Sequence, residues 1–262
     1  MTTNYNTPSY YGLPDDILIA TGGSNITQID KFGFAGDIGA TERTVWDGAG
    51  NTNCNYLSAA IQLQISSDDA NDTAAGTGAR VIEVSGLDAN YAEISEEVTL
   101  DGITPVTTVN SYIRCFRQRV RAHTNPDAVN AGSIYAFIGT ETAGVPIDPD
   151  QIFSIISPGM NRTLQANYTV PANRIGLLDF AEIISLGGNN AEVTARLLMR
   201  PLGGVWETMR KFVVEKGQID REWKPPIPMP AKADIEIRAE RTSGAGTLNV
   251  SAEFDMRLVP KG

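Results

Sequence analysis

Ala59-Ala60-Ile61-Gln62-Leu63-Gln64-Ile65 alternates apolar and polar side chains from Ile61 onward, and that period of two decides the fold class. Successive side chains of an extended chain point to opposite faces, so the stretch reads as a half-buried strand. Downstream, a polar loop (66–79) leads into Arg80-Val81-Ile82-Glu83-Val84-Ser85-Gly86-Leu87, a second strand. Asp88-Ala89-Asn90 has turn chemistry, and Ile94 to Leu100 forms a third strand that ends at the turn pair Asp101-Gly102. Strands separated by turn signals at this spacing point to a sandwich or barrel rather than to βαβ units.

The second half follows the same style. Thr163 to Val170 reads as a strand stopped by Pro171. Leu177–Leu186, Ala191–Met199, Trp206–Glu215, Ala233–Glu240 and Thr247–Leu258 follow, with Gly187-Gly188-Asn189-Asn190 and Gly244-Ala245-Gly246 as turns. Lys224-Pro225-Pro226-Ile227-Pro228-Met229-Pro230 lacks too many backbone donors for a helix or a central strand, so it is expected to run extended over the surface. No segment has the pattern of an amphipathic helix, and no repeat of fixed period is present. The fold class expected is all-β, with β-sandwich or jelly-roll modules. The expected division is an N-terminal arm over 1–45, a first β-unit over 46–145 and a second over 146–262. The two β-units could equally form one domain.

Residues 1–45 differ from the rest: Tyr5, Tyr10 and Tyr11 lie among Asn, Thr, Ser and Pro, ahead of a Gly-rich stretch. Such a segment has little to bury against itself. It is either a flexible tail or an arm laid along a neighbouring subunit, where Tyr gives a large contact area at low entropic cost.

Composition excludes several classes. With 262 residues, 42% hydrophobic and 20% charged, the chain can bury a core and is not of disordered type. The net charge of -10 opposes broad nucleic-acid binding. No apolar run approaches membrane-helix length, and the start has neither the basic nor the apolar region of a signal peptide, so folding in a cytoplasm is expected. Cys54 and Cys115 are too few for a disulfide scaffold or a closed metal site and read as reduced, packed thiols.

Catalytic constellations are missing from the sequence. The lone histidine, His123, stands at a strand end and reads as an exposed loop residue. Asp68-Asp69-Ala70-Asn71-Asp72 places several oxygen donors close together. It fails the Ca²⁺-loop pattern of the EF-hand, however, and reads as a solvated hairpin loop. A carboxylate pair for glycoside hydrolysis cannot be picked out of the 31 acidic residues by spacing. Neither a cofactor nor a metal is expected.

The unusual charge feature lies in Ser111 to Arg121. As a strand it puts Arg117, Arg119 and Arg121 on one face and Phe116 and Val120 on the other. The three guanidinium groups need acids, either from a cross-strand set such as Glu93, Glu96 or Glu97, or from a neighbouring subunit. Trp46, Trp206 and Trp223 are the aromatic platforms a glycan site would draw on. Of these, Trp206 is expected in the core and Trp223 exposed beside the Pro-rich stretch, where it is also a candidate subunit contact.

Three strings carry a family resemblance: Ser67 to Arg80, Val84 to Asn90, and Val98 to Thr108. Together with Tyr168-Thr169-Val170-Pro171-Ala172-Asn173 and Ala233 to Ala239 they resemble segments of tailed-bacteriophage virion proteins, over a third to half of the chain. The resemblance is nearest to capsid decoration (cement) proteins. It implies a non-enzymatic β-sandwich component of the virion, assembled in the host cytoplasm. Such a protein would self-associate, as a trimer, and contact the major capsid protein. A phage tail or fibre protein that recognises a receptor or glycan is the alternative. Long fibres fit less well, because repeats and coiled-coil heptads are absent.

Overall fold

The computed structural model describes residues 25–48, 53–123, 128–186 and 191–261. Tyr5, Tyr10 and Tyr11 lie outside these residues. Among the described residues the regular structure is all strand apart from one 3₁₀ turn at Pro149–Gln151, and every pairing between strands is antiparallel.

The strands form two sandwiches. In the larger, one sheet runs in the order β1 (Thr27–Ile38), β18 (Leu248–Pro260), β13 (Arg174–Ser185), β16 (Gly217–Met229). Its partner sheet runs β12 (Asn167–Thr169), β17 (Asp234–Ser243), β14 (Glu192–Arg200), β15 (Glu207–Val214), with β2 (Arg43–Thr44) added beside β17. β18 shows why these residues are strands: Leu248, Val250, Ala252, Phe254, Met256 and Leu258 all face inward, and the residues between them are more exposed. Both sheets close over a single apolar cluster that includes Leu178, Leu197, Ile237 and Phe254.

In the smaller sandwich, β11 (Ile152–Ile156), β8 (Ile134–Phe137), β3 (Ile61–Ser67) and β6 (Val106–Tyr112) face β5 (Glu93–Thr99), β4 (Ala79–Leu87) and β7 (Arg114–His123) across Leu63, Ile65, Ile82, Val84 and Phe153. A two-residue hairpin, β9 (Glu141–Thr142) with β10 (Val145–Pro146), lies outside both sandwiches.

Several elements fall where the sequence pattern does not place them. Thr27–Ile38 and Arg43–Thr44, expected within an arm, are strands of the larger sandwich. β1 escapes a period-two reading because its inward positions include Lys31, Gly33 and Ala35, whereas Phe32 and Phe34 stand on the other side. β11 lies beyond residue 146 yet pairs with β8 in the smaller sandwich. The Pro-rich stretch is not a free connection over the surface: it is the end of β16, an edge strand whose Ile227 and Pro228 pair with Leu178 and Leu177. An edge tolerates missing donors, which is why proline fits there. His123 is the last residue of β7 and is half-buried.

The acidic loop is a structural clip. Asp72 is fully buried, and its carboxylate accepts from Ser67 Oγ at 2.7 Å and from the backbone N–H groups of Ala79, Ala131 and Gly132 at 2.7, 2.9 and 2.9 Å. Asp68 accepts from the N–H of Ser133 and from the Tyr135 hydroxyl. These bonds tie the start of β4 to the segment entering β8 and leave Asp72 no free lone pair for a cation. Gly102 takes φ +60° in the turn after β5, as an Asp-Gly pair allows.

Candidate functional site

The chemistry-bearing side chains gather where the two sandwiches meet. The seam has a closed side and an open side.

On the closed side, Gly86 sets the geometry. It pairs with Cys115 across a bulge, and a Cβ there would stand 1.9 Å from the carbonyl oxygen of Arg114. Glycine therefore lets β4 and the start of β7 approach closely, which holds Arg114 under the sheet rather than in solvent. Arg114 donates to Asp234 through Nε at 2.7 Å and Nη2 at 3.0 Å, and to the Leu57 and Ile113 carbonyls through Nη1. Asp234 begins β17 in the other sandwich. It also accepts from Arg200 at 3.0 and 2.6 Å and from Thr169 Oγ1 at 2.6 Å, which makes five donors for one carboxylate. Burial pulls the Arg114 pKa down, but the bond and charge of Asp234 outweigh it and hold the guanidinium above its ordinary value.

Two residues along the same face of β17, Glu236 accepts from the Tyr56 hydroxyl at 2.5 Å, from Thr44 Oγ1 at 3.4 Å and from Arg238. Its complete burial raises its pKa despite those donors. The Arg groups double as packing surfaces. Arg200 lies 4.6 Å from the Tyr56 ring centre and 4.7 Å from that of Trp206, and Arg238 lies 5.1 Å from Trp206. Tyr91, held at φ 62°, is a large residue in a left-handed conformation that sits against both Arg114 and Lys232 and whose carbonyl accepts from the Ala172 N–H. Asp234 and Glu236 are thus saturated and shielded, so neither offers a carboxylate to a bound substrate.

On the open side, a cleft of about 260 Å³ separates β1 from β4, β5 and β7. Phe116, Arg117, Tyr168 and Ile29 line it together with Lys31, Glu83 and Glu93. Glu83 accepts from Arg119 at 2.8 Å and from Arg121 at 2.6 Å. Burial would raise the pKa of Glu83, but these two guanidinium groups outweigh it and hold the carboxyl below its ordinary value. Arg119 and Arg121 therefore share one carboxylate within the fold. Their acid comes from β4, because β4 lies between β7 and the strand carrying Glu93, Glu96 and Glu97. Arg117 does not share this partner; it donates to the backbone carbonyl of Asp30 at 3.1 Å.

The tryptophans exchange their expected places. Trp223 is buried in the core of the larger sandwich, because β16 packs as an edge strand instead of lying on the surface. Trp206 precedes β15 and is half-buried against Tyr56, with both arginines on its ring. Trp46 is buried. Both cysteines are free and buried; burial pushes the Cys115 thiol up to about 12 and that of Cys54 well above its usual range. Among the described residues no group of His, Cys, Asp and Glu is arranged to hold a metal ion.

No family model matches the chain, and no curated protein matches it. Among solved structures, a structure of infectious bursal disease virus, Gx strain, aligns over 90% of this chain and 71% of that one, with 11% identity and a TM-score of 0.25. The crystal structure of the VP2 subviral particle of the same virus aligns over 95% and 78%, with 10% identity and a TM-score of 0.23. Superposition at TM-scores this low defines no common fold.

Proposed function

We propose that the protein is a non-enzymatic structural component of a virion, a capsid decoration (cement) protein of the tailed-phage kind that its sequence resembles. In this reading it self-associates as a trimer, contacts the major capsid protein and stiffens the shell after assembly in the host cytoplasm. Tyr5, Tyr10 and Tyr11 supply contacts from the N-terminal segment, and many weak contacts add through multivalency. The supporting observation is how the protein uses its buried charges. Asp72, Asp234 and Glu236 each serve as acceptors that tie distant strands together, so the ionisable groups that a catalyst would expose are committed to rigidity. A shell component benefits from this, since it must pass load between neighbours without changing shape.

The test is immunogold electron microscopy of purified particles with serum against this chain. Gold spread over the head is the expected result. Gold confined to the tail would replace this reading with a tail or fibre protein. An absence of gold on particles, with the serum recognising the purified chain but nothing in dissociated particles, would remove the virion reading.

A further inference from the structure

Lys31 is an odd residue to place inside a protein. It is 3% exposed, on the inward face of β1, and its Nζ makes one hydrogen bond, to the Phe116 carbonyl oxygen at 2.6 Å. The same ammonium lies 5.4 Å from the Phe116 ring centre. An ammonium has three donors, and among the described residues no carboxylate lies within ion-pair distance of this one. Buried lysines normally have a partner, because an uncompensated charge away from water is costly.

The surroundings deepen the imbalance. Arg117 and Arg162 both act on Lys31 as like charges, and Cys54 and Cys115 are the titratable groups that favour its charged form. Burial comes first, and the two arginines add to it, in lowering the Lys31 pKa to about 7. Arg117 is itself held below its ordinary value by burial, then by Arg162, with Asp30 opposing. Of the two carboxylates in the cleft, Glu83 is engaged by Arg119 and Arg121, and Glu93 accepts from the Tyr168 hydroxyl at 3.3 Å. The cleft is therefore lined by two cations, Lys31 and Arg117, that make no ion pair among the described residues, beside the Phe116 and Tyr168 rings.

We infer that this cleft is an anion-binding site, taking a small oxyanion (a carboxylate or a phosphate) between the Lys31 ammonium and the Arg117 guanidinium. An oxyanion there would supply acceptors for the two unused Lys31 donors and for Arg117, whose fork matches such a group. Two sources share this chemistry: a free anion, or an acidic side chain of a second copy of the chain. The second source rests on the self-association proposed above; the site itself does not.

The experiment uses the full chain labelled with ¹³C-lysine. Of its lysines, Lys31 is identified by Lys31→Arg. Acetate and inorganic phosphate are titrated at pH 7 against chloride at constant ionic strength. The expected result is a saturable shift of the Lys31 side-chain signal with a rise in its titration midpoint, lost in Arg117→Ala and partly kept in Arg117→Lys. If a neighbouring copy supplies the carboxylate, the midpoint rises instead with protein concentration, and Arg117→Ala weakens association in sedimentation. A wild-type response that never saturates and matches that of the surface lysines, together with a concentration-independent midpoint, would overturn the site. Once the Lys31 signal is assigned, that readout needs only the wild-type chain, so it decides the matter even if the Arg117 variants fail to fold.

Discussion

The closed and open sides of the seam use the same residue types in opposite ways. On the closed side Arg114, Arg200 and Arg238 face Asp234 and Glu236, and the donors and acceptors are matched. On the open side, among the described residues, Lys31 and Arg117 donate to backbone carbonyls and make no ion pair. The difference teaches that burial of a charge has no fixed sign for stability. With a complete set of partners the charge fixes one arrangement of the two sandwiches, and without them it is a strain kept for something else. The first side reads as architecture and the second as a binding site.

Substitutions sharpen that contrast. The largest effect is expected for Asp234→Ala, which strips five hydrogen bonds and leaves Arg114 buried without its counter-charge; about 3–5 kcal/mol should be lost in urea unfolding. A loss below about 1 kcal/mol would mean that the closed side does not hold the seam.

Lys31→Met should act in the opposite direction and stabilise the fold by about 1–3 kcal/mol at pH 7, since the buried ammonium goes and one carbonyl loses its donor. The pH signature follows from linkage. The folded state holds the Lys31 proton only up to about 7 and the unfolded chain up to about 10.5, so stability rises with pH between those values. The variant should lose that slope, as measured by thermal unfolding at a series of pH values. An unchanged slope would show that Lys31 titrates normally.

The smallest effect belongs to Glu83→Gln. Arg119 and Arg121 are well exposed, so their pairing is screened by water and the change should stay within about 1 kcal/mol. Its share is present above the ordinary carboxylate range and lost as pH falls through the lowered value of the folded state. Salt should weaken it, whereas the Asp234 effect should persist in salt.

Much of the β architecture was legible because alternation is a local property. Leu63 and Ile65 of β3, and Leu248 to Leu258 of β18, hold the inward apolar positions the alternation predicts, although Ile61 is exposed and Ser66 and Ser67 are buried. β1 was not legible, because small residues and a lysine hold the positions that a hydrophobic pattern needs. The closed side of the seam was missed for a different reason. Arg114 and Asp234 are 120 residues apart, so no spacing rule connects them. One signal was available: Asp234-Ile235-Glu236-Ile237-Arg238 sets three charges on one face of a strand, more than a solvated face requires. The arginine stripe was visible, but spacing could not show that Glu83 would claim two of its three members.

The closed side joins the two sandwiches into one cooperative body. Trp223 lies in the core of the larger sandwich and Trp46 packs with Tyr135, Phe137, Ile152 and Ile155 of the smaller one, so tryptophan fluorescence follows side-chain packing in both halves, while far-UV circular dichroism follows their strands. Urea unfolding of the wild-type chain read by both probes is the direct measurement. One coincident transition that splits in two in Asp234→Ala is the predicted result. Two separate transitions in the wild type would contradict the claim.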